Sequence, residues 1–159
     1  RPKYCRITKE SVEDIYDTNE FTIGKACVPV DGKDCAIICS GVTVQFAVEA
    51  AKYLKDTYGY SVKVVDMHTI KPIDEEAVKD AAKTGNIIVA QDHNVIGGLG
   101  SAVAEVLAAN KLSVNFKVLG IPDAYCEIGH AGYLYNKYGY DKDGIIQAVV
   151  SMLQGGNNA

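Results

Sequence analysis

The stretch "QDHNVIGGLGSAVAEVLAANK", Gln91 to Lys111, joins an apolar run, "NIIVA" (residues 86–90), to a segment that reads as a helix. Three glycines, Gly97, Gly98 and Gly100, crowd the junction. In α/β sheets, ligands collect past the C-terminal ends of strands, at helix N-termini. The glycines therefore admit two readings: a phosphate cradle, or a sharp turn that seats a helix closely on a sheet. Gly98-Leu99-Gly100 begins like a dinucleotide fingerprint, but its third glycine would fall at Val103. A β-branched residue there opposes the close helix–strand approach that the fingerprint needs. No Gly-Lys-Ser/Thr follows, so the stretch is not a Walker loop. The structural reading is preferred, with a positive φ expected at Gly98. Anion binding at Gly98, Gly100 and Ser101 is kept as a second role.

The flanking chain repeats the same unit. "CAIIC" (35–39) is continuously apolar, as in a strand buried on both faces. "GVTVQFAVEAAKYLKDTYG" then carries a helical stripe, Val44, Ala47, Val48, Ala51 and Leu54, with Gly59 placed to stop it. "YSVKVVDM" is a strand and "IDEEAVKDAAKTG" a helix, with Asp74 as N-cap and acidic residues in its first turn. "SVNFKVLGI" and "DKDGIIQAVVSMLQ" add a last strand and a last amphipathic helix. The alternation predicts an α/β domain with a mostly parallel sheet covered on both faces. Upstream, "FTIGKACVPVDGKDCAIICSG" holds two strand-like runs around "DGKD", which predicts a hairpin. "TKESVEDIYDTNE" has little periodicity and reads as a linker.

Composition limits the function. The 159 residues fit one domain, and 48% hydrophobic with 23% charged residues is ordinary for a globular protein. A net charge of −4 without a Lys/Arg cluster argues against nucleic acid as a partner. No apolar stretch reaches the roughly 20 residues of a membrane span, and no signal peptide opens the chain. No membrane partner is expected. Five cysteines (Cys5, Cys27, Cys35, Cys39, Cys126) lack the spacing of a disulfide framework. Cys35 and Cys39, about 13 Å apart along a strand, cannot bridge. They read as small buried hydrophobes in a reducing cytoplasm, and no metal site is expected.

Three further places can carry chemistry. In "CSGVTVQ", Ser40, Gly41 and Thr43 follow a strand and open a helix, as an N-cap or an anion site. In "VVDMHTIKPID", Asp66 and His68 form a candidate pair, but no nucleophile elbow accompanies them. A satisfied, partly buried histidine is expected there. "IPDAYCEIGHAGYLYNKYGYD" holds five of the ten tyrosines. It is either an interface or a covering helix with snorkelling tyrosines.

Together, "DGKDCAIICSG", "DMHTIKPID" and "DHNVIGGLGSAVAEVL" resemble the C-terminal domain of transketolase-type thiamine-diphosphate enzymes over residues 20–153. Deoxyxylulose-phosphate synthase and 2-oxo-acid dehydrogenase β chains share that domain. The resemblance implies a three-layer α/β/α sandwich with a five-stranded mixed sheet, its first strand antiparallel. It implies that residues 1–19 end a preceding pyrimidine-binding domain and link to this one, with Lys9 near the substrate phosphate. Residues 154–159 form a frayed tail. The whole enzyme would use thiamine diphosphate and Mg²⁺ to move a two-carbon ketol unit between sugar phosphates. This chain would bind neither by itself, since no Gly-Asp-Gly triplet occurs in it. Expected partners are a cofactor-binding N-terminal domain or subunit and a second copy of the chain. The family usually has an acidic residue where this chain has Gln91.

Overall fold

The computed structural model describes residues 2–4, 11–17 and 21–155. Its strands are β1 (Cys27–Val30), β2 (Cys35–Cys39), β3 (Val62–Asp66), β4 (Asn86–Asn94) and β5 (Asn115–Ile121). Its helices are α1 (Thr43–Tyr58), α2 (Glu75–Ala82), α3 (Leu99–Ala109), α4 (Ala131–Tyr138) and α5 (Lys142–Gly155). The strands form one sheet in the order β1-β3-β2-β4-β5. All neighbours are parallel except β1, which runs antiparallel to β3. This is the α/β mixed sheet with one antiparallel strand that the resemblance implies.

The period-2 geometry of a strand explains why β2 is apolar throughout. Cys35, Ile37 and Cys39 face one core with Ala47, Leu54, Ile145 and Val149, from α1 and α5. Ala36 and Ile38 face the other with Val78, Ala81, Val103 and Leu107, from α2 and α3. All five β2 side chains are fully buried. Burial of each isoleucine there contributes about 2 kcal/mol.

Helix punctuation follows the sequence. Gly59 takes a left-handed φ of 74° and its N–H closes α1 on Lys55 O at 3.0 Å. Asp74 caps α2, accepting from Ala77 N–H at 3.2 Å. Its other oxygen accepts from Ala26 N–H at 3.0 Å, which ties the approach to β1 to α2.

The hairpin expected at "DGKD" does not form. β1 pairs with β3, and β3 separates it from β2. The reason lies in the residues of the turn itself. The N–H groups of Lys33 and Asp34 both donate to Ser61 O, at 3.0 and 2.8 Å. Asp34 Oδ2 accepts from Ser61 N–H at 2.7 Å. A Cβ on Gly32 would lie 2.4 Å from the carbonyl carbon of Val62. The segment therefore crosses the entry to β3 and leaves a slot that β3 fills.

At the ends of the chain, α5 runs to Gly155, past the expected boundary at residue 153. Residues 156–159 lie outside the described residues, as do Lys9 and most of residues 1–10. No helix among the described residues is long and apolar enough to cross a membrane.

Candidate functional site

The glycine turn after β4 is closed by its own side chains. Gln91 is buried, and its Oε1 accepts from Gly100 N–H at 2.9 Å. Its Nε2 donates to Asn94 O at 2.7 Å. Gly97 N–H donates to Ser101 Oγ at 2.9 Å. An amide oxygen thus occupies the place at the start of α3 where an anion would seek a free donor. The positive φ expected at Gly98 belongs instead to Gly97, at 74°. Gly98 is extended (φ −96°), and its requirement is space. A Cβ there would sit 2.7 Å from Gln91 Nε2 and 2.8 Å from His93 Cδ2. Gly100 is similar, since its Cβ would meet Val118 Cγ1 at 2.7 Å. Close packing of α3 on the sheet is what these two glycines allow.

At the β2–α1 junction the cap residue is Val42, with no side-chain capping bond, and not Ser40. Ser40 contributes its backbone. Thr43 Oγ1 accepts from Ser40 N–H at 3.3 Å and lies 2.9 Å from both Ser40 O and Ala90 O. The sheet's strand order reverses direction between β2 and β4, which is where such folds bind nucleotides. Here a fully buried threonine bridges that position. Gly41 has a φ of 62°, and a Cβ there would meet nothing within 4 Å.

One strand over, the chain leaves a cavity of about 500 Å³. Its walls are the β2–α1 turn and first turn of α1 (Gly41, Val42, Val44, Gln45), the end of β3 and the residues just past it (Asp66, His68), and the segment Val12–Tyr16 with Phe21. Tyr16 OH donates to Asp66 Oδ2 at 2.9 Å, and Glu13 N–H donates to Gln45 Oε1 at 3.1 Å. Phe21 sets its ring edge-on to both Tyr16 and His68, with centroids 5.3 Å apart in each pair. Residues 12–16 of the segment read as a linker are therefore docked on the domain.

Two buried polar atoms have no hydrogen-bond partner among the described residues, Asp66 Oδ1 and His68 Nε2. The satisfied histidine expected from sequence is thus only half satisfied, with Nδ1 2.9 Å from Thr69 Oγ1. Asp66 is 6% exposed. Burial pushes its carboxyl above the usual carboxylate range, against the Tyr16 hydrogen bond and the nearby imidazole. Burial and the Asp66 carboxylate push the Tyr16 phenol up in turn.

The tyrosine-rich segment is part buried and part exposed. Tyr135 and Tyr140 are buried, and Tyr140 OH donates to Asp92 Oδ1 at 2.9 Å. Tyr125 and Ile128, on the loop before α4, are fully exposed. Among the described residues no cluster of His, Cys, Asp or Glu is placed to hold a metal.

These features define an α/β domain with a closed glycine turn, a largely apolar cavity and an exposed loop before α4. The chain belongs to the family of the transketolase C-terminal domain, whose family model matches residues 24–145. It is 38% identical over 156 residues to a subunit of the apulose-4-phosphate transketolase of Phocaeicola vulgatus, covering 96% of this chain and 49% of that protein. It is 36% identical to a 1-deoxy-D-xylulose-5-phosphate synthase of Dehalococcoides mccartyi, covering 95% of this chain and 24% of that protein. A solved structure described as a split gene transketolase, inactive beta4 tetramer, superposes with a TM-score of 0.82 at 36% identity. That match covers 92% of this chain and 47% of the other. The chain thus spans about half the length of the transketolase subunit it matches.

Proposed function

We propose that the chain acts within a thiamine-diphosphate-dependent transketolase, moving a two-carbon ketol unit between sugar phosphates. The observation that carries this is the 38% identity to a transketolase subunit across nearly the whole chain. When bound in the whole enzyme, the cofactor with Mg²⁺ supplies the stabilised carbanion chemistry. This chain supplies scaffold and contacts. Its residues do not fit the diphosphate. At α3, Gly100 N–H is held by Gln91 Oε1 and Gly97 N–H by Ser101 Oγ. At the β2–α1 turn, Ser40 N–H is already taken by Thr43 Oγ1. Weak anion contact at either turn is the most these elements supply. Lys9 is proposed to approach the substrate phosphate, and Lys9→Ala in the whole enzyme should raise KM more than it lowers kcat.

The proposed partners are a cofactor-binding N-terminal domain or subunit and a second copy of the chain. Support comes from the relative named as a subunit and from the exposed Tyr125 and Ile128. The test is reconstitution. The chain alone should show no ketol transfer, and the complex with its N-terminal counterpart should show it. Turnover by the chain alone would overturn the scaffold role. A second reading, deoxyxylulose-phosphate synthase, is favoured by the 36% identity to that enzyme. Formation of a 1-deoxy sugar phosphate by the reconstituted complex would select it.

A further inference from the structure

The sheet ends on β5, whose outer side faces no other strand among the described residues. Within a strand, the N–H and C=O of one residue point to the same side, and successive residues alternate. Asn115 N–H donates to Gly85 O at 2.9 Å, so Asn115 and Lys117 direct their backbone groups toward β4. The N–H and C=O of Phe116 and Val118 therefore point away from the sheet. A strand edge of that kind is a template for another extended chain. Beside it runs a groove of about 510 Å³ between β5 and α5, lined by Asn115, Phe116 and Lys117 on one side and Ala148, Ser151 and Met152 on the other. A bare edge with a groove along it is the geometry of strand addition. Main-chain hydrogen bonds then give affinity, and side chains in the groove give selectivity.

Charge decides the occupant. Lys117 lines the groove, and no Asp or Glu among the described residues does. No ion pair among the described residues engages Lys117. It stands beside Ile88 of β4 and shares its face, the one covered by α1 and α5. A residue paired with Lys117 on an added strand would direct its side chain to that same face. An Asp or Glu there would give the ammonium a charge-assisted partner. Its two neighbours would face the other way, where Phe116 is 36% exposed and an apolar side chain would cover it. A second copy of the chain fits less well. Antiparallel pairing of two β5 strands about this stretch brings the two Lys117 side chains to one face, directly opposite or one diagonal apart, where like charges repel. Lysine on an edge guards against self-pairing in this way.

We infer that the β5 edge is a docking site for an extended peptide segment of a partner protein, with an Asp or Glu opposite Lys117 and apolar, β-branched residues on either side of it. The main chain of that segment bonds the outward groups of Phe116 and Val118, and its carboxylate reaches Lys117. The site lies on the opposite edge of the sheet from β1, and it does not depend on the ketol-transfer reading.

The test is fluorescence anisotropy with a labelled peptide whose core is Thr-Val-Glu-Val-Thr. It would use the full-length protein together with any subunit that co-purifies. The peptide should bind with a Kd below about 0.3 mM. A peptide with lysine in place of the glutamate should bind about tenfold more weakly. One N-methylated at both valines and the glutamate, which lacks the donors for strand pairing, should bind about tenfold more weakly or less. Lys117→Glu, at an exposed position, should reverse the charge preference, so that the lysine peptide binds more tightly than the glutamate peptide. Phe116→Pro removes an outward N–H that the sheet does not use, which an edge strand tolerates. It should weaken both peptides about fivefold or more. If Phe116→Pro fails to fold, the reversal in Lys117→Glu decides. Failure of the glutamate peptide to bind at about 1 mM would overturn the inference. So would an unchanged charge preference in Lys117→Glu, or equal binding of the N-methylated peptide. Self-association of the parent that Phe116→Pro abolishes would give the edge to a second copy and overturn it too.

Discussion

A glycine is required either for what its backbone does or for the space it leaves, and residues 97 and 98 divide these roles. Gly97 has positive φ and open surroundings, so Gly97→Asn should be tolerated within about 1 kcal/mol, asparagine being at home in that region. Gly98→Ala drives a methyl into the Gln91 amide and should cost about 1–3 kcal/mol. Urea unfolding of both variants checks the pair, and a reversed order would refute the division. Asp66 supports a pH prediction. Its carboxyl is raised in the folded chain, so ionisation opposes folding. No penalty exists below the unfolded value near 3.8, and it grows as pH rises through the folded value. Asp66→Asn keeps an acceptor for Tyr16. It should therefore raise the urea midpoint at pH 7 and leave it nearly unchanged at pH 3.

Among the elements, β3 and its ties decide the topology. Lys63 on β3 reaches Asp31 at 2.9 Å and Asp80 on α2 at 2.6 Å. Hydrogen bonds from Lys63 and Lys83 hold the Asp80 carboxyl down to about 2. Stability from this pair is present above about 3.8 and is lost as pH falls toward 2. Asp80 is half exposed, so the gain is about 0.5 kcal/mol and shrinks in salt. Asp80→Asn should remove it at pH 6 and change nothing below pH 2, as read from urea midpoints. Gly32→Ala would push the "DGKD" crossing off Val62 and should cost about 1–3 kcal/mol by the same measurement. The alternation of strands and helices is legible in the sequence because the β2 residues and Ile87–Ala90 on β4 are apolar on both faces. The hairpin expectation fails because Asp31-Gly32 is a local signal, whereas the Ser61 carbonyl that captures this turn is distant in sequence. Asp66 and His68 are legible as a pair. Tyr16 and Phe21 are not, because a single tyrosine 50 residues from its acceptor leaves no periodic trace.

For the whole molecule, one exposed apolar surface lies beyond β5. Tyr125 and Ile128 are fully exposed next to the Glu127–Lys137 ion pair at 2.7 Å. Exposed apolar residues rimmed by charge are common at interfaces. Ile128→Lys should leave the melting of the chain within about 0.5 kcal/mol of the parent. It should weaken assembly with partner subunits, as read by light scattering across a dilution series. Unchanged assembly would exclude this loop from the contact.

The placement of β1 beside β3 also bears on how the chain is made. Cys27 pairs with Asp66, 39 residues later. At a synthesis rate of about 5–20 residues per second, β1 waits roughly 2–8 s for its neighbour. β2, apolar on both faces, must wait for β3 on one side and β4 on the other. The nascent chain therefore presents two sticky segments with no hairpin to hide them. Crowded, rapid expression should favour aggregates at this stage, and slower elongation or a chaperone that shields residues 27–39 should improve the soluble yield.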